Sequence, residues 1–590
     1  MWQQTFVFAV LGVCMALFFW GKWRYDLVAA MALMAVALTG IVSPKEAFSG
    51  FSHPAVISVG AILVVSQGLS NCGVTRLLVA PLASIGKNPT LALAAMVGAV
   101  IVASAFMNNV GALALMMPVA IKYARDHEQP VGKFLMPLAF GSLLGGLMTM
   151  LGTPPNLIIA TFRAENGSGA FGMFDFLPVG GVVAAFGAIY LVLLGWRLIP
   201  IRQRGTSREG LYEIGEYLTE VMVPEDSEHS AISISELASE NGEDVQIVAL
   251  VRGERRIAAP HSNERILPGD TLIVEASAED IQAFVERTGY QLAEGKHPSE
   301  ESLSSDNIEV EEAVVTARSP VIGKTVKNIR LRSVYGVNLL AIARQGQSVR
   351  RRLDSTGLRQ GDVLLLQGSE GALSEVMQSL ALLPLATRKL RFGAPPRLAL
   401  GVATFAAAVV LVTVGVLPVQ LAFAAAAVVM LTFGLLSLKQ AYDTVDWPVI
   451  MLLACMMPVG YALESTGGAQ TLANLVTSVA GNSGPIVALA VVMVGAMTLS
   501  DVINNAAAAV LLAPIGISVA ESLGVSSDPF LIAIALGASC AFLTPIGHQS
   551  NTLVMGPGGY RFSDYWRVGL PLQIAIFIVA LPMILRVWPF

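Results

Sequence analysis

Charged residues are scarce in this sequence. Among its 590 residues only 13% are Asp, Glu, Lys or Arg and 54% are hydrophobic, whereas about a quarter of the residues of a soluble domain are charged. The stretch from Tyr461 to Phe530 contains no Lys or Arg. This composition excludes an ordinary soluble protein and predicts a polytopic α-helical membrane protein. The net charge of −5 gives no indication of nucleic-acid binding.

Signatures of other protein classes are missing as well. The four cysteines lie in or beside apolar runs without the spacing of metal ligands, and we interpret them as small core residues. No GxGxxG sequence follows a predicted strand, so a dinucleotide-binding fold is not indicated. The sequence also has no TVGYG-like carbonyl filter. We therefore expect a protein that is not an enzyme and holds no organic cofactor.

Apolar runs long enough to span a bilayer fill both ends of the chain. In the first 200 residues their approximate bounds are 6–20, 25–43, 54–70, 90–121, 133–162 and 176–198. Run 90–121 is interrupted by Asn108 and Asn109, and run 133–162 by Thr149–Asn156. Polar backbone is tolerated at membrane depth only beside protein or water. We predict that run 90–121 is a re-entrant helical hairpin with the asparagines at its tip.

The second half repeats these interruptions. Each half contains Asn-Asn, a proline nine residues later, and then Thr-x-x-Gly-x-x-x-Asn. The matching residues are 394 to 396 positions apart, as in Asn109 and Asn505 or Thr149 and Thr544. Each half thus has five crossings and one hairpin, and because five is odd the halves are expected to be inverted repeats. Paired, Gly/Pro-interrupted apolar segments point to the binding site of a secondary transporter.

The interrupted segments supply the expected binding residues. Helix N-termini suit an anion, while asparagine and backbone oxygens suit Na⁺. The alternative is that the asparagines only cap broken helices. We expect Na⁺ ligands at Asn109, Asn156, Asn505 and Asn551. The full set of expected substrate- and ion-binding residues is Asn108, Asn109, Thr149, Gly152, Thr153, Asn156, Asn504, Asn505, Thr544, Gly547, His548, Ser550, Asn551 and Thr552.

Two titratable residues in the transport segments have alternative interpretations. Asp501 precedes the second asparagine pair and either couples transport to a cation or proton, or caps the hairpin helix. His548 replaces Thr153 of the other half and either contacts the anion or a proton, or supports the site by hydrogen bonding. Asp175 and Asp564 are expected to cap the last span of each half. Since the apolar core carries no Lys or Arg, co-bound cations are expected to balance an anion.

The middle of the chain has a different composition, with charged residues, β-branched strands and short amphipathic helices. VQIVALVR at 245–252 matches VNLLAIAR at 337–344, an offset of 92. We predict a pair of inserted soluble α/β domains joined by a Glu/Ser-rich linker at 293–306. The expected organisation is a first membrane repeat at 1–204, soluble domains at 205–292 and 307–386, and a second membrane repeat at 387–590.

Lys and Arg predict the orientation in the membrane. If the insert is cytoplasmic, sixteen basic residues of the connecting segments fall inside and three fall outside, which follows the positive-inside rule. Both chain ends are then external. The first hairpin enters from the cytoplasm and the second from the opposite side. We expect a multi-pass protein of the plasma (inner) membrane.

Several segments resemble the divalent anion/sodium symporter family, in the bacterial branch that carries two TrkA-C domains between its transport halves. These segments are AFSGFSHPAVI at 47–57, GTPPNLI at 152–158, TPIGHQSNTLVMGPGGYRFSDY at 544–565, IGKTV at 322–326 and YGVNLLAI at 335–342. The resemblance covers essentially the whole chain. It implies a homodimer that moves sulfate, dicarboxylates or similar anions with Na⁺ by an elevator-like displacement, regulated at its TrkA-C-like domains by a small molecule.

The resemblance also shows one departure. The family's Ser-Asn-Thr signature at each hairpin tip falls here on Asn108-Asn109-Val110 and Asn504-Asn505-Ala506, so the hydroxyls are missing. GHQSN at 547–551 is more similar to sulfate-type members, which favours sulfate. The alternatives are a di- or tricarboxylate symporter, an ion antiporter, and a channel-type ion uptake protein gated by the inserted domains.

Overall fold

The structure is a computed structural model. It describes residues 2–20, 23–73, 88–200, 218–224, 232–234, 236–237, 246–252, 255–258, 263–275, 278–292, 309–317, 319–344, 347–349, 356–385, 395–481 and 484–590. The expected linker at 293–306 lies outside these ranges, as do several basic residues of the orientation argument, including Arg76 and Lys87.

Eight helices form the described part of the first membrane half. They are α1 (Trp2–Trp20), α2 (Tyr25–Leu38), α3 (Pro54–Asn71), α4 (Pro89–Ser104), α5 (Asn109–Asp126), α6 (Gly132–Gly146), α7 (Pro154–Arg163) and α8 (Leu177–Leu193). Short helical turns at Pro44–Ala47, Ser49–Ser52, Ala164–Ser168 and Gly195–Leu198 connect some of them. Run 90–121 is thus two helices in contact, α4 and α5, and run 133–162 is broken between α6 and α7.

The second membrane half follows the same order and has one further helix, α14, whose matching positions in the first half lie outside the described residues. After the insert, whose helices are α9 (Ala278–Thr288) and α10 (Glu370–Ser379), come α11 (Pro395–Thr413), α12 (Val419–Thr432), α13 (Trp447–Ser465), α14 (Gly468–Ala480), α15 (Pro485–Ser500), α16 (Asn505–Leu523), α17 (Asp528–Ala538), α18 (Gln549–Met555) and α19 (Tyr565–Val587). Four apolar segments, at Pro54–Asn71, Trp447–Ser465, Asn505–Leu523 and Phe562–Val587, are long and apolar enough to cross a membrane. The apolar stretches of the other described helices are 10–17 residues long, partly because two spans are broken into halves.

Matched sequence positions form the same local structures in both halves. Ser43 accepts a bond from the backbone N–H of Glu46 and completes a capping box, and Ser437 does the same with Gln440. A capping box satisfies two N–H groups that a helix start leaves open. This explains why both halves have a serine at this position, 394 residues apart.

The helices pack in two groups. The site cluster comprises α4–α8 and α15–α19, in which α8 packs on α19 and α7 packs on α16 and α17. The flanking cluster comprises α1–α3 and α11–α13, in which α2 packs on α13 and α3 packs on α12, and α14 lies between the two clusters. The clusters meet where α13 and α14 contact α16 and where α3 contacts α7. Helices from both halves therefore build each cluster.

Two five-stranded antiparallel sheets form the insert. Their strands are β1 (Leu218–Met222), β2 (Gln246–Arg252), β3 (Arg255–Ala258), β4 (Thr271–Glu275), β5 (Gln291–Leu292), β6 (Glu309–Val315), β7 (Asn338–Arg344), β8 (Gln347–Ser348), β9 (Val363–Gly368) and β10 (Leu382–Pro384). The orders β3-β2-β4-β1-β5 and β8-β7-β9-β6-β10 are equivalent. Arg252 pairs with Asp270 and Arg344 pairs with Asp362, again 92 residues apart.

The expected capping by Asp175 and Asp564 is wrong. Neither carboxylate caps the helix that follows it. Instead Asp175 accepts the backbone N–H of Gly172, and Asp564 accepts that of Arg561. Each carboxylate therefore closes a tight turn three residues upstream, where the connection turns into the last helix of its half.

Candidate functional site

The two residues of each asparagine pair have different roles. The side-chain oxygen of Asn108 accepts the backbone N–H of Val110 at 3.0 Å, and that of Asn504 accepts the N–H of Ala506 at 2.9 Å. These bonds cap α5 and α16. Helix capping, the alternative considered from sequence, thus accounts for a bond made by the first asparagine of each pair and leaves the second to be explained.

The second asparagine of each pair is buried beside a serine of the preceding helix. The amide of Asn109 lies 2.7 Å from Ser104 Oγ, and that of Asn505 lies 2.9 Å from Ser500 Oγ. A hydroxyl has one hydrogen to give. Both serines also lie within donating distance of a carbonyl, Ser104 of Ser142 and Ser500 of Ala538. If each hydroxyl donates to that carbonyl, the neighbouring amide nitrogen must donate to the hydroxyl.

This hydrogen count fixes the direction of both amides. With its nitrogen towards Ser104, Asn109 also donates to the carbonyls of Gly152 and Ser142 at 3.1 Å. With its oxygen towards Ser500, Asn505 Nδ2 has no hydrogen-bond partner within the described structure. By the same count we infer that this amide is turned over, so that its nitrogen donates to Ser500 and its oxygen is the atom left without a partner. The two hairpins therefore turn asparagine oxygens away from their serines.

The broken spans contribute a second matched pair of asparagines. Asn156 Nδ2 donates to the carbonyls of Gly146 and Thr149, and Asn551 Nδ2 donates to those of Ala541 and Thr544. Both side chains are fully buried. Their Oδ1 atoms have no hydrogen-bond partner in the described parts of the chain. A buried polar atom without a partner is costly, so these two oxygens indicate a ligand.

The two threonines of the broken spans join them to the hairpins. Thr149 Oγ1 donates to the carbonyl of Ala105, just after α4, and Thr544 Oγ1 donates at 2.7 Å to the carbonyl of Asp501, just after α15. The same hydroxyls accept backbone N–H groups of Leu151 and Gly547. Both threonines thus hold the broken spans against the hairpins without lining the cavity.

His548 and its counterpart Thr153 differ in what they do. His548 Nδ1 accepts the backbone N–H of Ser550 at 3.1 Å, so in the neutral ring the proton is on Nε2. Nε2 lies 3.5 Å from the Asn109 amide, longer than a normal N–H···O bond. Thr153 has the same extended backbone but its Oγ1 is buried without a partner in the described residues. His548 therefore both caps α18 and presents an N–H donor.

Asp501 lies behind the site. One carboxylate oxygen accepts the backbone N–H of Leu543 at 2.8 Å and the other accepts Gln573 Nε2 at 2.7 Å. The residue is buried and ends α15. The carboxylate caps neither helix of the hairpin, so the capping alternative is wrong. Instead these contacts tie the hairpin to α19 and to the broken span.

A cavity of about 870 Å³ runs from the asparagines to the second sheet. Nine of the expected residues line it: Asn108, Asn109, Gly152, Thr153, Asn504, Asn505, Gly547, His548 and Thr552. The other five, Thr149, Asn156, Thr544, Ser550 and Asn551, lie outside the lining. Arg24 is the basic residue of the lining within the described structure, and its guanidinium is paired with Asp26.

Sequence reasoning missed Ser104, Ser500 and Gln573. The two serines could have been found, because each stands five residues before the second asparagine of its half. Gln573 has no such signal, since it reaches Asp501 from a helix 72 residues further along the chain.

Paired helix breaks from two halves, with polar residues of both lining one cavity, are typical of a secondary transporter. The sequence matches the family model described as citrate transporter (CitMHS) over residues 15–537 and 489–589. The chain belongs to this family, and it is a transporter and not an enzyme. The family is consistent with the divalent anion/sodium symporter resemblance.

Curated relatives extend the comparison along the whole chain. An uncharacterized transporter of Synechocystis is 29% identical over 593 residues, which cover 99% of this chain and 97% of the relative. The uncharacterized transporter YfbS of Escherichia coli is 29% identical and both chains are covered in full. Sodium/sulfate cotransporter 2 of Chlamydomonas reinhardtii is 22% identical over 92% of this chain and 84% of its own length.

Proposed function

We propose that this protein is a Na⁺-coupled symporter of sulfate. The observation that carries the proposal is the matched pair of buried, unpartnered oxygens, Asn156 Oδ1 and Asn551 Oδ1. Their amide nitrogens are each fixed by two carbonyls, so the oxygens cannot turn away to find donors. Neutral oxygens at broken helix ends suit Na⁺.

Two further oxygens support a Na⁺ role. Asn109 and Asn505 turn their amide oxygens away from Ser104 and Ser500 by the hydrogen count given above. Each half thus offers one hairpin oxygen and one broken-span oxygen. These groups do not titrate near neutral pH, which favours Na⁺ over a proton as the coupling ion.

The anion would be held by hydrogen-bond donors. Helices α5 and α16 begin at the cavity, and a helix N-terminus carries partial positive charge. His548 Nε2–H adds a donor that its bond to Ser550 keeps in place. The described lining has no Lys, and its Arg24 is paired with Asp26, so bound Na⁺ would balance the anion's charge. The sodium/sulfate cotransporters among the relatives favour sulfate.

A di- or tricarboxylate is the second candidate. It is favoured by the description of the family, citrate transporter, and by a cavity of about 870 Å³, which is far larger than one sulfate ion. Against it, Val110 and Ala506 replace the hydroxyls that the related dicarboxylate carriers have at the hairpin tips.

The proposal includes the arrangement in the membrane. We propose that α4–α5 and α15–α16 are re-entrant hairpins of inverted repeats, and that the site cluster moves against the flanking cluster in an elevator-like step. The chain divides at 1–204, 205–292, 307–386 and 387–590, with the two TrkA-C-like domains in the cytoplasm. The family resemblance supports a homodimer and a small-molecule regulator at those domains.

Counterflow in proteoliposomes tests the proposal. Vesicles loaded with unlabelled sulfate should accumulate labelled sulfate when Na⁺ is present and not when it is replaced by a larger cation. Unlabelled citrate and succinate, added outside, distinguish the second candidate. A channel would show no counterflow, and uptake of labelled citrate without sulfate uptake would replace sulfate by the carboxylate.

A further inference from the structure

The second sheet region, residues 309–385, contacts the site cluster directly. Gly361, in the turn between β8 and β9, faces Gly556 at the end of α18. A Cβ atom on Gly556 would lie 2.0 Å from the carbonyl oxygen of Gly361, and one on Gly361 would lie 2.9 Å from that of Thr552. Backbone meets backbone here, and only glycine allows so close an approach.

The turn that makes this contact is held firmly within its own sheet. Asp362 accepts both the backbone N–H of Arg359 and the guanidinium of Arg344, and Gly361 N–H donates to the carbonyl of Val315. Gly361 has a φ of +83°, in the left-handed region that favours glycine. The turn is therefore presented to α18 in one conformation.

A second contact lies on α5. Arg125, in its last turn, pairs with Glu312 of β6 at 2.7 Å, and the Glu312 side chain is only 3% exposed. Both contacted helices carry site residues at their other ends, namely Asn109 on α5 and Asn551 on α18. The second sheet region is thus attached to the helices that hold the site.

The same region also lines the cavity. Its contributions are Ala317, Ser319, Pro320, Ile322 and Gln360. Residues of the flanking cluster and its connections, including Trp23 and Trp447, line the same cavity. The second sheet region is therefore attached to the site cluster and shares a cavity with the flanking cluster, against which the site cluster is proposed to move.

The first sheet offers a comparison within the same chain. Gly269 occupies the position of Gly361, 92 residues earlier, and has a φ of +79°. A Cβ atom on Gly269 would meet nothing within 4 Å among the described residues. The conformation of this turn alone therefore does not produce docking on the site cluster. Docking also requires the position that the second sheet region has beside α18.

We propose that the second sheet region is an intramolecular brake, docked on α5 and α18, which closes the insert-side mouth of the cavity and restrains the site cluster until it is released. The proposal deepens the proposed function and rests on its elevator-like movement. Its partner surface is the pair Gly556 and Arg125.

Gly556→Ala is the sharpest probe, because Gly556 has helical backbone angles (φ −65°, ψ −61°) and an alanine there adds no backbone strain of its own. Arg125→Glu disrupts the second contact, because it replaces the ion pair with Glu312 by two like charges. Gly98→Ala, at a helical glycine of α4 with nothing within 4 Å, and Lys122→Glu, at an exposed residue of α5, are the matched controls.

The readout that needs no substrate is thiol labelling. In vesicles, Thr153→Cys is labelled from the side opposite the insert with a membrane-impermeant reagent, while the native cysteines are buried. Gly556→Ala and Arg125→Glu should each raise the labelling rate several-fold, and the controls should not. Unchanged labelling in both variants would overturn the brake.

Sulfate uptake is the second readout. Both variants should increase the initial rate, and the charge exchange Arg125→Glu with Glu312→Arg should return it towards that of the unmodified chain. Faster labelling together with no sulfate uptake in any form of the protein would refute sulfate as substrate and leave the brake standing. Loss of uptake with faster labelling, while the unmodified chain transports, would show that docking is needed for transport and would overturn the brake.

Discussion

Glu165 Oε1 lies 2.6 Å from His53 Nε2, and this pair joins the two helix clusters on the side away from the insert. Glu165 follows α7 of the site cluster, whereas His53 precedes α3 of the flanking cluster. Tyr461 Oη, on α13 of the same cluster, donates to Glu165 Oε2 at 2.8 Å. The contact links the two clusters in the conformation described here.

The matching positions cannot make such a contact at the other end. Trp447 stands 394 residues after His53, and an indole does not form an ion pair with a carboxylate. Glu165 lies where the offset between the halves falls from 395, at Asn156 and Asn551, to 389, at Asp175 and Asp564, so it has no fixed counterpart. The latch of His53, Glu165 and Tyr461 therefore stabilises only one of the two end positions that an elevator-like movement would visit.

Breaking this latch should shift the population towards the other end position. We expect Glu165→Gln to raise the rate at which Thr153→Cys is labelled from the far side. Glu46→Gln is the control, because Glu46 is exposed and its described side-chain bonds go to Ser43 of its own capping box. Equal labelling rates in Glu165→Gln and the control would show that the latch does not restrain the site cluster.

The latch should hold throughout the neutral pH range. Burial raises the pKa of the Glu165 carboxyl, but the hydrogen bonds from His53 and Tyr461 lower it more, and the pKa lies below its usual value. A lowered pKa means that the stabilising contribution is present above the normal pKa and is lost as the pH falls through the lowered one. The labelling rate of Thr153→Cys should therefore be the same at mildly acidic and at neutral pH. A rise in the rate at mildly acidic pH that is absent from Glu165→Gln would contradict this.

The two residues of an asparagine pair should respond differently to serine. Serine caps helices about as well as asparagine, so Asn504→Ser should keep most of the uptake. Asn505→Ser removes the amide that contacts Ser500 and its outward oxygen, and uptake should fall by about tenfold or more, corresponding to at least ~1.4 kcal/mol. Initial rates of purified, reconstituted variants provide the measurement. Equal losses in both would assign a shared capping role to the pair.

Asp501 should contribute to stability more than to coupling. In Asp501→Asn one acceptor oxygen is replaced by a donor that meets either Leu543 N–H or Gln573 Nε2. Losing a hydrogen bond to a charged group costs about 1.5–3 kcal/mol, so the thermal unfolding temperature should fall. The Na⁺ concentration for half-maximal uptake should stay the same. A large change in that concentration, without loss of thermal stability, would assign Asp501 to coupling.

The positions of the helix breaks could be predicted from the sequence. Asparagine competes for backbone hydrogen bonds and proline lacks a backbone donor, so either residue can interrupt a helix within an apolar run. The matched register of the two halves also pointed to Asn156 and Asn551. Their unpartnered oxygens are revealed only by the structure, because the sequence does not show which carbonyls hold the amide nitrogens.

The position of the second sheet region could not be predicted. Its contact with α18 is made by the backbone of Gly361 and Gly556. Because glycine has no side chain, its chemistry does not indicate which residue it contacts. The bond between Asp501 and Gln573 could not be predicted either, because no residue near Asp501 in the sequence indicates a contact with α19.

The Na⁺ dependence of sulfate uptake in Asn156→Ala and Asn551→Ala tests the central claim most directly. Each variant removes one of the unpartnered oxygens, and the Na⁺ concentration for half-maximal uptake should rise by about tenfold or more, the effect of losing ~1.4 kcal/mol of binding. Asn71→Ala, at a partly buried asparagine of α3 whose amide bonds only other residues of the flanking cluster and its connections, should leave it unchanged. Sulfate uptake driven by a pH gradient without Na⁺, equal in all four proteins and lost in Asp501→Asn or His548→Gln, would contradict the account and assign coupling to protons.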